Sequence, residues 1–208
     1  RWMGPGRRGS LMLTNHALPA PALSLGAEGA PWPWARVRTE LGAGRLSGER
    51  SDVESPGWLF MDMRWMPAPG IELGASRVGI FGGEGRPSPR LGQLLLPTDP
   101  HVYDDPDGEL PDQDELAALD ARIHLPLERW LGLQSLRYLE IWWQYGAEDI
   151  IAAETFGIRY PSLAGIANLY GAELAIGDVR VVGEGARIFD DYFRWYTGHR
   201  IYHQGFTR

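Results

Sequence analysis

The chain has 208 residues, a net charge of −7 and no cysteine, and all of its 20 Lys/Arg positions are arginine. An acidic chain without a basic cluster is a poor partner for nucleic acid, the lack of cysteine excludes disulfides and thiolate metal sites, and no apolar run approaches the roughly 18 residues of a membrane helix. Its 27 glycines, 16 prolines and 11% aromatic residues point to many turns and short strands, an all-β composition.

Residues 1–10 are basic and glycine-rich, with Trp2, Gly4, Pro5 and Gly6. Short apolar runs follow at 11–14 and 22–26, the second a strand candidate. After Trp32, Pro33 and Trp34 a clean alternation begins: Ala35, Val37, Thr39 and Leu41 face one way, Arg36, Arg38 and Glu40 the other. Side chains on a strand alternate between faces with period two. Charges of both signs on one strand face suit a wet interior with internal ion pairs better than a dry core. Residues 58–66 alternate again, with Leu59, Met61, Met63 and Trp65 against Asp62 and Arg64. A turn at 67–70 leads into 71–81, where Ile71, Leu73 and Ala75 oppose Glu72 and Ser76. Arg77 falls on the apolar face, which marks a bulge or a position at a membrane interface.

Residues 82–115 read as a long irregular acidic loop, carrying Asp99, Asp104, Asp105, Asp107, Glu109, Asp112, Asp114 and Glu115. Such a stretch is a solvated loop first and a divalent-cation site second, since it lacks EF-hand spacing.

The clearest pattern spans 116–145. Ala117, Leu119, Ala121, Ile123 and Leu125 alternate with Asp120, Arg122 and His124; after a turn at 126–132, Leu139, Ile141, Trp143 and Tyr145 alternate with Tyr138, Glu140, Trp142 and Gln144. This is a hairpin with one apolar and one polar face, and arms of about ten residues, the length of a tilted membrane-crossing strand. In a soluble sandwich the apolar face would be the core. In a membrane barrel it would meet lipid, and the charged face would line the lumen. The hairpin alone leaves both environments open, although Trp130, Trp143 and Tyr145 at the strand ends lean toward the barrel.

A second irregular stretch is expected at 146–162, then strands at 163–174 and 179–188 joined by a short turn at 175–178. Short turns thus alternate with long loops, the asymmetry of an outer-membrane barrel with short periplasmic turns and long extracellular loops. Residues 189–208 are dense in aromatic and planar polar groups. Tyr192, Arg194, Trp195, Tyr196, Arg200 and Tyr202 make a surface able to hold a sugar polymer, or an aromatic girdle at the membrane interface. A mean hydropathy of −0.26 is ordinary for a barrel with a polar lumen.

Catalytic signatures are missing. The 82–85 glycines lack the Lys-Ser/Thr and helix of a phosphate loop, and no serine sits in a nucleophile elbow. His199 and His203, with four-residue spacing, are a weak metal pair. Glu148 with Asp149, and Asp190 with Asp191, are adjacent acids whose spacing across a sugar the sequence does not give. No catalytic residue, metal or cofactor is assigned.

Several blocks together resemble the capsule-assembly Wzi family of outer-membrane proteins. Trp2-Met3-Gly4-Pro5-Gly6 with Ser10-Leu11-Met12-Leu13-Thr14-Asn15-His16-Ala17 and Pro19 is similar to that family's opening segment. Ile71-Glu72-Leu73-Gly74-Ala75-Ser76-Arg77 with Gly82-Gly83-Glu84-Gly85-Arg86, then Asp120-Ala121-Arg122, Tyr145-Gly146-Ala147-Glu148-Asp149 and Tyr202-His203-Gln204-Gly205-Phe206, resemble later blocks in the same order. The resemblance implies a non-enzymatic, lectin-like outer-membrane barrel with a plugged lumen that keeps capsular or other surface polysaccharide on the cell. It also implies that further strands and a helical periplasmic part lie outside this chain.

The expectation is an all-β transmembrane antiparallel barrel, with residues 1–208 an internal portion of one barrel domain behind a signal peptide in the missing N-terminal part. Its partners would be polysaccharide and outer-membrane lipid, and it would be a monomeric barrel. Arg36, Arg38, Asp62, Arg64, Asp120, Arg122 and Glu140 would form a lumen network, and Tyr192, Arg194, Trp195, Tyr196, Arg200 and Tyr202 would meet the polymer. The rival readings are a porin-like channel and a β-rich polysaccharide-processing enzyme.

Overall fold

A computed structural model describes residues 4–7, 11, 21–46, 52–89, 113–132, 134–155 and 158–189, with the backbone alone at 148–155, 158–164 and 189. The alternating segments become eight strands: β1 (Ala22–Trp32), β2 (Ala35–Arg45), β3 (Gly57–Ala68), β4 (Ile71–Phe81), β5 (Gln113–Leu125), β6 (Leu136–Thr155), β7 (Ile158–Ile176) and β8 (Val179–Phe189). One short helix, α1 (Leu127–Leu131), lies between β5 and β6. The strands form a single sheet in sequence order, each antiparallel to the next. Among the described residues β1 and β8 are its two edges, and no pairing joins them.

Turn chemistry places three tight connections at one end. Pro33 and Trp34 join β1 to β2, Pro69 and Gly70 join β3 to β4, and Gly177 and Asp178 join β7 to β8. Gly70 (φ 83°) and Gly177 (φ 54°) supply the positive φ that two-residue hairpin turns require. The β5–β6 connection uses α1, closed by Gly132 in the left-handed region with its N–H on the Glu128 carbonyl at 2.9 Å. The opposite end carries the long connections and the tip of the β6–β7 ribbon.

The register carries side-chain parity across the whole sheet. Leu41 pairs with Met61, Met63 with Ala75, Leu73 with Ala121 and Ile123 with Ile141, so the apolar positions of successive strands share one face. That face is open: Leu25 is 79% exposed, Leu119 56% and Met63 48%. The other face carries the charges, yet Asp120, Glu140, Gln144 and Glu173 are buried on it, with Trp142 only 1% exposed. A water-soluble sheet does the reverse, because each large apolar side chain left in water forgoes about 1.5–3 kcal/mol.

Glycines on the charged face make room for bulky neighbours on the adjacent strand. Gly42 pairs with Phe60, Gly44 with Trp58 and Gly171 with Trp142, and a Cβ at Gly42 or Gly171 would fall inside the neighbouring ring. Leu46 and residues 52–56 lie over the long-loop end of this face. Leu46 and Val53 close an apolar cluster with Trp58, Phe60, Val78, Ile80 and Leu116, and the Leu46 N–H donates to the Pro56 carbonyl at 2.9 Å.

Four sequence expectations shift. β1 covers eleven residues rather than five. The stretch expected to be irregular at 146–162 is instead the extension of β6 and β7, paired from Asp149 with Ala164 to Thr155 with Ile158. β5 begins at Gln113, so Asp114 and Glu115 belong to a strand and not to the acidic loop; residues 90–112 lie outside the described residues. Arg77 marks no bulge: β4 runs through it in unbroken register with Met61 on one side and Ala117 on the other.

Replacing Gly171 by Val should push the Trp142 indole from its site and cost about 1–3 kcal/mol, as overpacking does. Gly183→Val, where an added Cβ meets nothing within 4 Å, should change little. Denaturant unfolding of both variants in detergent, followed by tryptophan fluorescence, checks the contrast.

Candidate functional site

Chemistry-bearing side chains gather in three places on the charged face. The first centres on Arg64 of β3. Its Nη1 donates to Asp120 Oδ1 of β5 at 2.5 Å, its Nη2 to Asp62 Oδ1 at 2.8 Å, and Glu72 Oε1 of β4 lies 3.8 Å away. The Ser76 hydroxyl donates to Asp62 Oδ1 at 2.7 Å. Gly74 sits opposite both Arg64 and Asp120 in register, and a Cβ there would occupy the position of their contact. The parity of three strands and one glycine therefore brings three carboxylates around a single guanidinium.

The second cluster is assembled by the N-terminal segment. Glu140 of β6 and Glu173 of β7 are directly opposite in register, a like-charge pair that repels without a cation. Arg7 supplies it: Nη2 reaches Glu140 Oε1 at 2.7 Å and Nε lies 3.3 Å from Glu173 Oε2. The Arg7 backbone N–H donates to Glu184 Oε2 of β8 at 2.8 Å, and the same oxygen accepts from Trp142 Nε1 at 3.0 Å. Tyr138 donates its hydroxyl to Glu173. Gly4, at φ 127°, lies so close to the Gln144 amide that no side chain fits. Leu11 N–H donates to Gln144 Oε1 at 2.8 Å, and its side chain packs with Trp142, Ala167 and Leu169.

The third place is a cleft of about 420 Å³ at the short-turn end, lined by Trp34, Arg36, Met66, Glu72, Arg122 and His124 among others. Arg122 Nη2 donates to the Pro5 carbonyl at 2.9 Å, and its Nε is 3.8 Å from Glu140 Oε1. His124 Nδ1 lies 3.5 Å from Glu140 Oε2, and its ring is 4.9 Å from that of Tyr138.

Asp62, Arg64, Asp120, Arg122 and Glu140 therefore enter ion pairs on one face. Arg38 stands apart, 3.5 Å from Glu40 and largely exposed, and Arg36 opens onto the cleft. Tyr192, Arg194, Trp195, Tyr196, Arg200 and Tyr202 lie outside the described residues, as do His199, His203, Asp190 and Asp191. Glu148 and Asp149 fall on β6 with only their backbone described. Sequence reasoning missed Arg7, Glu173 and Glu184. Glycines on both sides of Pro5 were the available signal for a backbone that must lie close against something. Among the described residues no group of three His, Asp or Glu side chains is placed to hold a metal ion. No helix there is long and apolar enough to cross a membrane, which leaves crossing by strands untouched.

The open face bears its own charged pair. Arg77 donates to Glu115 through one bidentate guanidinium edge, Nε to Oε2 at 3.0 Å and Nη2 to Oε1, and both residues are buried. They stand above Ile71, Leu73 and Ala75 on the way to the long-loop end.

An antiparallel meander with an exposed apolar face and a buried, ion-paired one defines an all-β protein turned inside out relative to a soluble sandwich. A sequence model of the family described as Capsule assembly protein Wzi matches residues 1–208, and the chain belongs to that family of outer-membrane capsule-assembly proteins. No curated protein and no solved structure matches the chain.

Arg64→Met would leave three buried or half-buried carboxylates without their cation, and should destabilise the fold by about 3–5 kcal/mol. Arg38→Ala, at an exposed pair, should cost no more than about 1 kcal/mol. Unfolding midpoints of the two variants, measured side by side in the same detergent, separate these outcomes.

Proposed function

We propose that this chain is part of a closed outer-membrane β-barrel that acts as a lectin-like attachment protein, holding capsular or other surface polysaccharide on the cell without turning it over. The observation that carries the reading is the inverted sheet: an apolar face left open for lipid and a charged face neutralised internally. Other features support it. Trp32, Trp65 and Trp130 are exposed and cluster at the short-turn end, as an aromatic girdle at one membrane boundary would. The Arg77–Glu115 pair ends the apolar run on β4 after six residues, roughly 20 Å at strand rise, close to the height of a barrel's apolar band. The short turns then face the periplasm, and the long connections, the β6–β7 ribbon and residues 190–208 face outward.

On this reading Arg36, Arg38, Asp62, Arg64, Asp120, Arg122 and Glu140 line the lumen, and residues 4–7 with Leu11 lie across it as a plug. Tyr192, Arg194, Trp195, Tyr196, Arg200 and Tyr202 meet the polymer at the outer surface. The partners are the polysaccharide and outer-membrane lipid, and the barrel is a monomer.

Deleting the gene in its host should leave total polysaccharide unchanged and move polymer from the cells into the medium; unchanged attachment would sink the proposal. Trp195→Ala with Tyr196→Ala should release polymer while the protein still assembles in the membrane. The full-length protein in planar bilayers should be nearly silent, and an open-channel conductance would favour a porin instead.

A further inference from the structure

We infer that the cleft at the short-turn end of the charged face binds an acidic saccharide segment, one whose sugars carry carboxylates, through Arg36 and Arg122. The inference rests on the attachment reading above and assigns it a second, inner contact.

The arginines of this face differ in what they have left to offer. Arg64 is enclosed by Asp62, Glu72 and Asp120, and Arg7 is committed to Glu140, Glu173 and Trp142. Arg36 is exposed and, among the described residues, forms no ion pair or hydrogen bond. Arg122 spends Nη2 on the Pro5 carbonyl and turns its buried Nε toward Glu140 at 3.8 Å, while 29% of its side chain stays exposed. Two guanidinium groups, that of Arg36 without a partner among the described residues, thus line one cavity in a chain whose net charge is −7. Guanidinium donors match carboxylates in fork geometry.

The rest of the lining suits a sugar more than a bare anion. Trp34 is 62% exposed in the β1–β2 turn and offers an aromatic face to pyranose C–H groups. Glu72 and His124 offer acceptor and donor positions for hydroxyls. Glu72 does not repel an incoming carboxylate at full strength, since Arg64 stands 3.8 Å from it. A volume of about 420 Å³ lies within the usual range of small-ligand pockets. Arg36 and Arg122 stand on β2 and β5, with two strands between them. Three inter-strand steps set their backbones roughly 14 Å apart, a span for more than one sugar unit.

The test uses the full-length protein in detergent micelles, titrated calorimetrically with a galacturonic acid trimer, with maltotriose as uncharged control and inorganic phosphate as competitor. The trimer should bind, maltotriose should bind at least tenfold more weakly, and added salt should weaken the trimer alone. Arg36→Glu, a change at an exposed side chain, should lose at least tenfold in affinity, and Arg129→Glu on α1, at the same end but outside the cleft, should not. Absence of trimer binding, equal binding of maltotriose, full competition by phosphate, or equal losses in the two variants would each overturn the assignment. Polymer shed on gene deletion together with no trimer binding rejects the cleft and keeps attachment. Trimer binding that depends on Arg36, with no polymer shed on deletion, keeps the cleft and rejects attachment.

Discussion

Neutralisation of charge on the buried face is the constraint on which the rest of this structure depends. A sheet that leaves its apolar side open must bury its polar side, and an unpaired charge there costs several kcal/mol. The chain meets this with few cations. Arg64 serves Asp62, Glu72 and Asp120, and Arg7 serves Glu140 and Glu173. Arginine suits the task because its fork spans two acceptors at once, where the single ammonium of lysine would not. The glycines follow from the same constraint, since Gly74 must be small for Arg64 and Asp120 to meet over it.

The three zones of the buried face grade from one end to the other. At the long-loop end the face is apolar and closed by Leu46 and Val53. In the middle it is charged and ion-paired. At the short-turn end it opens into the Arg36–Arg122 cleft, where the Arg36 side chain has no partner among the described residues. A uniform polar lining would leave a water path along the face; this gradient blocks one end with side chains and keeps chemistry available at the other.

Much of the fold was legible in the sequence, because period-two alternation survives unchanged in β2, β3, β4, β5 and the first half of β6. The choice between sandwich and inverted sheet was not legible there, since parity says which residues share a face and not which medium meets it. The length of the β6–β7 ribbon was hidden by Gly146 and Pro161, which read as breakers. Pro161 is tolerated because β7 pairs with β8 only from Ile166 onward, so the missing N–H has no ladder to break on that side. Arg77 read as a phase error because its partner, Glu115, sits in a segment that composition assigned to a loop. Of the charged sites, the Arg64 cluster followed from strand parity. The Arg7 cluster did not, because its members are 133 and 177 residues apart.

That separation bears on the order of assembly. Among the described residues each strand pairs with its neighbours in sequence, so the ladder can grow hairpin by hairpin. Residues 4–7 and Leu11 are the exception: their partners Gln144, Glu173 and Glu184 exist as a surface only once β6, β7 and β8 have joined. The described residues that precede β1 are therefore among the last of this sheet's partners to dock. Until they do, Glu140 and Glu173 face each other across the ladder without the cation that Arg7 supplies.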